Sequence, residues 1–323
     1  MNPKKYLKSS YLSVCAGLCA FLAIIFLFVI YFSIAPSDFP QKEIVTIEKG
    51  MYLSQAADLL EEKHIIKSAF LFKVFTVLVS GNRYVLAGDY LFDSPQSVLK
   101  VASRLANGVQ GLAKIKITIL EGMTAKDISL VLEKNIPNFD KESFFKLAKP
   151  YEGYLFPDTY YFYENTKPDE VIVVLRTTFD RKEDTIYSAI LKFDKPEADV
   201  IKMASIVEKE ATSSIDRRII AGVLWKRIEM GMPLQVDPPF YYLLGKDSSE
   251  ITKEDLALDS PYNTYLHKGL PPTPINNPGL DAILDTITPT TTKYLFYLSD
   301  KKGNMHYAAT YEGHLVNKSK YIK

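Results

Sequence analysis

Between Ser9 and Ser37 the chain contains no charged residue, and the run YLSVCAGLCAFLAIIFLFVIYFSIA inside it is long enough to cross a bilayer as one helix. In lipid a single segment of this length is stable only as a helix, which satisfies its own backbone. Lys4, Lys5 and Lys8 precede the run. By the positive-inside rule the N-terminus stays cytoplasmic and everything after Pro36 lies outside. A cleaved signal peptide has a shorter apolar core, and the small-residue site Ser33-Ile34-Ala35 is followed by Pro36, which disfavours cleavage. The expected layout is therefore a tail at 1–10, an uncleaved membrane helix at 11–35 and an exported remainder. Both cysteines, Cys15 and Cys19, fall within the span. A disulfide, a thiolate nucleophile and a cysteine metal site are thereby excluded from the exported part.

The 323 residues carry a net charge of +1, so no global field points to nucleic acid. After the linker PSDFPQKE, Ile44–Glu48 reads as a strand and KGMYLSQAADLLEEKHII as a turn and a helix with Leu53, Ala56, Ala57 and Leu60 on its apolar face. Ala69–Val79 is apolar almost all round, which predicts a buried helix. Ser80-Gly81-Asn82 is a turn, Tyr84–Phe92 a returning strand, and a further helix runs from Pro95 to about Leu105, stopping near Asn107-Gly108. Residues 36–113 thus form one subdomain. TIEKGM (Thr46–Met51) recurs as TILEGM (Thr118–Met123), with Ile47/Ile119, Gly50/Gly122 and Leu60/Leu132 in register. Either a short duplication or a common Gly-Met turn before a helix accounts for it. The second copy sits in a strand–helix unit at 114–150.

Residues 151–323 hold the chemistry. Thr166 to Asp194 reads as a largely helical linker, and Lys195-Pro196 precedes a helix with Val200, Ile201, Ala204, Val207 and Ala211 on one stripe. Glu208 and Glu210 project to opposite shoulders of that stripe, at about 100° per residue. A half-desolvated carboxylate has a raised pKa and can hold a proton near neutrality, as a general acid must; two solvated helix charges are the plainer alternative. Pro233-Leu234-Gln235-Val236-Asp237-Pro238 places a Gln and an Asp on one side of a proline-bounded segment, suited to sugar hydroxyls, or else makes Asp237 a turn cap. Ser260 to Thr264 with Tyr265, then Gly269 to Ile275 and Asn277-Pro278-Gly279, form a proline-stiffened loop whose Tyr262, Asn263, Thr264 and Tyr265 read as exposed and suited to sugar binding. Trp225 sits in an apolar helical run and reads as core. His64, His267, His306 and His314 are scattered, and there is no phosphate loop, so neither metal nor cofactor is expected. The terminal KYLFYLSDKKGNMHYAAT reads as a hairpin closing a catalytic sheet.

ASIVEKEA, RRIIAGVLWKRIEMGMPLQVDP and SPYNTYLHKGLPPTPINNPGL, in this order and spacing, resemble the endolytic murein transglycosylases of the YceG-like family over nearly the whole chain. The resemblance implies an α+β fold: a single membrane helix, a LysM-like βααβ subdomain and a mixed α/β catalytic domain. It implies a lytic transglycosylase of the inner membrane that cuts MurNAc–GlcNAc bonds in nascent glycan strands, leaves 1,6-anhydro ends, and works beside peptidoglycan synthases. It makes Glu210, second of the Glu-Lys-Glu motif, the catalytic acid, and leaves Glu208 as a helper or a structural charge. It supports Gln235, Asp237 and the Tyr262–Tyr265 stretch as substrate contacts, and offers Asp158 and Tyr160 of EGYLFPDTYYF as residues shaping the site. Thr273 stands where the family usually has Gly. The remaining alternatives are a non-catalytic glycan-binding protein, and a lysozyme-type muramidase pairing Glu210 with Asp237.

Overall fold

The structure, a computed structural model, describes residues 3–40, 42–81 and 83–322, with side chains from residue 16 on. Gln41 of the linker and Asn82 of the expected turn lie outside the described residues, as do Met1 and Asn2 of the tail, the side chains of Lys4, Lys5, Lys8 and Cys15, and Lys323. The chain divides into two compact units, Met1–Ala113 and Lys114–Lys323.

In the first unit, α1 (Pro3–Ser33) contains an apolar stretch, Ala16–Ser33, long enough to cross a membrane, exposed over residues 16–28 and packed against the rest of the unit near its end, at Phe32. Strand β1 (Glu43–Ile47) pairs antiparallel with β2 (Gly88–Phe92), Glu43 opposite Phe92 and Ile47 opposite Gly88. Two helices, α2 (Leu53–Glu62) and α3 (Ala69–Ser80), lie between them in sequence, and α4 (Val98–Asn107) follows. The expected βααβ order is present, with a shorter second strand and with Pro95 ahead of the helix rather than in it. Caps explain the boundaries: the Ser68 and Ser97 hydroxyls accept the Leu71 and Lys100 amides, and Gly81 and Gly108 end their helices in the left-handed region. Phe72, Tyr90, Phe92, Leu60 and Leu105 fill the core. The buried Arg104 guanidinium donates to the carbonyls of Leu91, Val109 and Gln110 and to the Gln96 side chain, which compensates its loss of water. One expectation fails. Helix α3 buries Ala69, Leu71, Phe72 and Thr76, but Phe70 is 69 % exposed and Leu78 72 %.

The second unit opens with β3 (Lys114–Thr118), paired antiparallel with β4 (Thr159–Tyr163), and α5 (Ala125–Asn135) and α6 (Lys141–Ala148) fall between them in sequence. The segment 114–150 therefore lies in this unit. The two strand–turn–helix segments of the internal repeat share a local shape, since Gly50 and Gly122 both take positive φ, 88° and 74°. Their surroundings differ: a Cβ at Gly50 would meet nothing, whereas one at Gly122 would sit 2.9 Å from Lys209 Cε. Next come α7 (Pro168–Asp184) and α8 (Tyr187–Lys192). The sequence suggested a linker here; instead Val171, Leu175, Phe179, Ile186 and Ile190 are buried in core clusters.

Helix α9 (Glu197–Glu210) is the centre of the unit and packs against α8, α10 (Ser214–Glu229), α11 (Pro238–Leu244) and α13 (Leu280–Ile287); the short α12 (Lys253–Leu256) precedes the last of these. Between Val200 and Val207 every residue except Lys202 is buried, so burial is all-round and not confined to a stripe. Side chains such as Ile201, Met203 and Ile206 each contribute about 1.5–3 kcal/mol when fully buried. Ala211 is off the helix, in extended backbone at φ −153°. Arg217 on α10 pairs with Asp285 on α13 at 2.8 Å, both buried, and Trp225 Nε1 donates to the Thr286 carbonyl, so Trp225 is core as read from sequence. Gly222 permits the close crossing, because a Cβ there would stand 2.2 Å from the Thr290 carbonyl oxygen. The hairpin forms as expected: β5 (Phe296–Ser299) pairs with β6 (Met305–Ala308) across a turn held by Asp300, and α14 (Tyr311–Tyr321) follows. It does not close a larger sheet. Among the described residues each of the three sheets has only two strands.

Candidate active site

The sequence motifs meet on α9. Ser205, fully buried, holds the proline-rich loop: its hydroxyl accepts the Ile275 amide (3.1 Å) and its carbonyl accepts Asn276 Nδ2 (2.7 Å). Buried Asn277 then joins three segments. Its Oδ1 accepts the amides of Gly153 and Leu155, and its Nδ2 donates to the Met123 carbonyl and to Glu152 Oε1. Glu152 also accepts the Ala125 amide at the start of α5. Glu-Gly-Tyr and Asn-Asn-Pro-Gly thus meet in one buried polar clamp, joined through Asn277 and Glu152.

At the C-terminal end of α9 a cavity of about 500 Å³ is lined by Glu210, Arg227, Gln235, Asp237, Tyr265 and Tyr297, with α14 supplying His314 and Lys318. Desolvation pushes the Glu210 carboxyl up to about 7; Tyr297 draws it down, Asp237 up, and Arg227 down. A carboxylate at a helix C-terminus faces the negative end of the macrodipole, which acts in the same direction as the burial. The Tyr297 hydroxyl is buried without a hydrogen-bond partner of full geometry and faces Glu210. Burial, then the nearby Glu210 charge, push that phenol well above its ordinary range, so it remains a donor. Buried Arg227 fixes the walls: Nη1 donates to the Leu234 carbonyl (2.6 Å) and Nε to the Leu295 carbonyl (2.7 Å), tying the Gln235 segment to the hairpin.

Of the residues singled out from sequence, Glu210, Gln235, Asp237 and Tyr265 share this cavity. Gln235 is exposed, with left-handed backbone at φ 50°. Asp237 occupies the cap position of α11, yet its carboxylate makes no cap bond; Oδ1 accepts the Tyr265 hydroxyl at 2.6 Å instead. Asn263 and Thr264 are not exposed as the loop reading required. Asn263 is 0 % exposed and its side chain donates to the Leu256 and Leu258 carbonyls while accepting the Tyr265 amide. Thr264 is 2 % exposed and its hydroxyl brackets Val236, accepting the amide and donating to the carbonyl. Thr264 thus holds the Gln235–Asp237 segment from behind, while Asn263 ties the loop to residues 256–258. Tyr262 lines a different cavity of about 580 Å³ with Glu152, Tyr241 and Tyr242, and its hydroxyl pairs with Thr273 at 2.8 Å. Although larger, that cavity holds a carboxylate already committed to the Asn277 clamp. Glu208 points to the opposite side of α9, where Oε2 accepts the Gly279 amide at the start of α13. Asp158 accepts its neighbour's amide at Thr159, and buried Tyr160 donates to the Phe156 carbonyl. Among the described residues no cluster of three or more His, Cys, Asp or Glu side chains is gathered to hold a metal.

A model of the YceG-like family matches residues 45–320. The chain belongs to the YceG-like family. It is 30 % identical over 305 residues to the endolytic murein transglycosylase of Bacillus subtilis (strain 168), covering 86 % of this chain and 84 % of that protein. It is 29 % identical over 334 residues to the endolytic murein transglycosylase of Streptococcus pneumoniae, covering 90 % of this chain and 60 % of that protein. The crystal structure of a YceG-like protein from Listeria monocytogenes superposes with a TM-score of 0.58 at 29 % identity, over 86 % of this chain and all of that one. Within this family member, Arg227 and Tyr297 are the cavity residues that sequence reasoning passed over. Arg227 lies within the motif RRIIAGVLWKRIEMGMPLQVDP, where it had no role of its own, and Tyr297 within a hairpin read as closing a sheet. Arg227 stands next to Lys226 and two residues before Glu229, so its burial carried no signal of its own in the sequence.

Proposed function

We propose that this YceG-like chain is a membrane-anchored lytic transglycosylase that cuts glycan strands of peptidoglycan internally, with Glu210 as its acid and base. The observation that carries the reading is a carboxyl held at about 7, beside open space, at the C-terminal end of the central helix of the unit. The names of the relatives supply the substrate class. Near neutrality such a group is present in both protonation states, which a single residue acting first as acid and then as base requires.

In this mechanism the Glu210 carboxylic acid gives its proton to the oxygen bridging MurNAc to GlcNAc as the bond to the anomeric carbon breaks. The N-acetyl oxygen of the same MurNAc shields the developing cation. Glu210, now a carboxylate, removes the proton from the 6-hydroxyl as that oxygen closes on the anomeric carbon. The product is a 1,6-anhydro end, the enzyme is regenerated protonated, and no water is consumed. Asp237 and Tyr265, hydrogen-bonded to each other, are placed to hold sugar hydroxyls or the N-acetyl group, and exposed Gln235 to receive them. The presence of Asp237 in the same cavity favours one second reading, a two-carboxylate muramidase.

Digesting purified glycan strands with the full-length protein and weighing the products decides between them. Ends lighter by one water, absent with Glu210→Gln, support the lytic route; hydrated reducing ends support the muramidase. The βααβ unit is read as a LysM-like holder or spacer, the N-terminus as cytoplasmic, the catalytic unit as extracytoplasmic, and the partners as peptidoglycan synthases of the same inner membrane. A tethered enzyme meets new strands before mature wall, which is where strand termination requires it. Protease protection in sealed cells tests the orientation, and loss of shortened strands on deleting α1 tests the tether.

A further inference from the structure

We infer that the first unit lies on the outer surface of the bilayer through the exposed face of α3, in addition to being tethered by α1. Phe70, Val74, Val77 and Leu78 are all exposed and recur at four-, three- and one-residue steps, a single stripe along the helix. The opposite face, with Leu71 and Phe72, is already in the core. A helix apolar on both faces is expected to have cover on both, and here the chain supplies only one. The neighbouring helix α2 shows the ordinary pattern, with Ser54, Gln55, Asp58 and Glu61 outward. Twelve residues rise about 18 Å, too short to span the hydrocarbon but suited to lying in the interface.

The occupant follows from what α3 adjoins. Phe32 and Ala35, at the end of α1, pack against the core of the unit. Lys67, just before α3, lies over the Tyr31 ring at 4.3 Å and donates to the Tyr31 carbonyl. The apolar span ends at Ser33, so the start of α3 is held at the level where lipid headgroups begin. Tyr31 and Lys67 are side chains suited to that level, and Lys73 flanks the stripe where its ammonium reaches phosphates. A lipid surface therefore covers the stripe.

The test uses the full-length protein in vesicles of phosphatidylcholine and phosphatidylglycerol, with Cys15→Ser and Cys19→Ser and one environment-sensitive dye at a time on Leu78→Cys, Val74→Cys or Ser54→Cys. Dyes at 78 and 74 should emit to the blue and lose most of their intensity to brominated lipid, while the dye at 54 behaves as in water. Water-like emission at all three sites overturns the inference. So does blue emission at 78 that brominated lipid leaves untouched, because a protein surface would then be the cover. Neither outcome depends on Glu210 chemistry, which is assayed separately on glycan strands.

Discussion

Near its C-terminal end α9 carries one carboxylate on each side, two residues apart, and the two lie in different surroundings. Burial raises the pKa of both Glu208 and Glu210. Glu208 faces α13 and spends an oxygen on the Gly279 amide, where the positive end of that helix dipole welcomes it. Glu210 faces a cavity and a phenol that does not complete a bond to it. Glu152 sharpens the lesson: it is pushed up further, to about 8, chiefly by burial, yet both its oxygens are engaged by the Ala125 amide and the Asn277 side chain. A raised pKa marks a buried carboxyl. A cavity beside it is not enough, since Glu152 lines one too; Glu210 differs in that its oxygens are not committed to such a clamp.

The largest effect should come from Glu210→Gln. Removing the acid and base should lower the turnover of glycan strands by about 10³-fold or more, read as anhydro-ended products per unit time. Stability should move the other way. A carboxyl whose folded pKa lies near 7, above its ordinary value of 4.5, disfavours folding progressively as pH rises from the lower value to the higher. The amide variant should therefore melt higher than the parent at pH 8 and the same as the parent at pH 4.5. A variant that melts lower at pH 8 would show that Glu210 is held by contacts, as Glu208 is.

Smaller and opposed effects are expected from the two neighbours that tune Glu210. Asp237 raises its pKa and Tyr297 lowers it. Asp237→Asn should shift the alkaline limb of the activity profile to lower pH and cost about tenfold at the optimum through lost sugar contacts. Tyr297→Phe should shift the same limb to higher pH, with a loss of a few-fold or less, as expected for the loss of one hydroxyl that favours the carboxylate. Two shifts in the same direction would break the assignment of these roles. If Asp237→Asn instead removes as much activity as Glu210→Gln and the parent gives hydrated ends, the two-carboxylate reading prevails.

Much of this was legible in the residues. Periodicity located α2 and α9, the glycines at 81 and 108 set boundaries, and the charge-free run set the span, because each depends on local spacing. What stayed hidden depends on partners distant in sequence. Asn263 and Thr264 look like surface sugar contacts until Leu256, Leu258 and Val236 arrive to bond them. Residues 166–194 look like a linker because their many charges mask the stripe of Val171, Leu175 and Phe179. Tyr297 becomes a site residue only when Arg227 draws Leu295 and Leu234 together. Helix α3 was misread for the opposite reason. Its composition suggested burial, but the chain covers the face with Leu71 and Phe72 and leaves Phe70 and Leu78 exposed.

The smallest effect should fall on the other shoulder. Glu208→Gln keeps an oxygen for the Gly279 amide, so stability should change by no more than about 0.5 kcal/mol and activity by about twofold or less. Glu208→Ala leaves the first turn of α13 without that acceptor and should cost about 1 kcal/mol, seen as a lower melting temperature. In neither variant should the pH profile move, since the carboxylate lies across the helix from the cavity and does not line it. An alkaline limb displaced in Glu208→Gln, with melting unchanged, would mean that charge on one side of α9 is felt on the other. The two shoulders would then be one coupled site, with Glu208 the helper that the Glu-Lys-Glu spacing allowed.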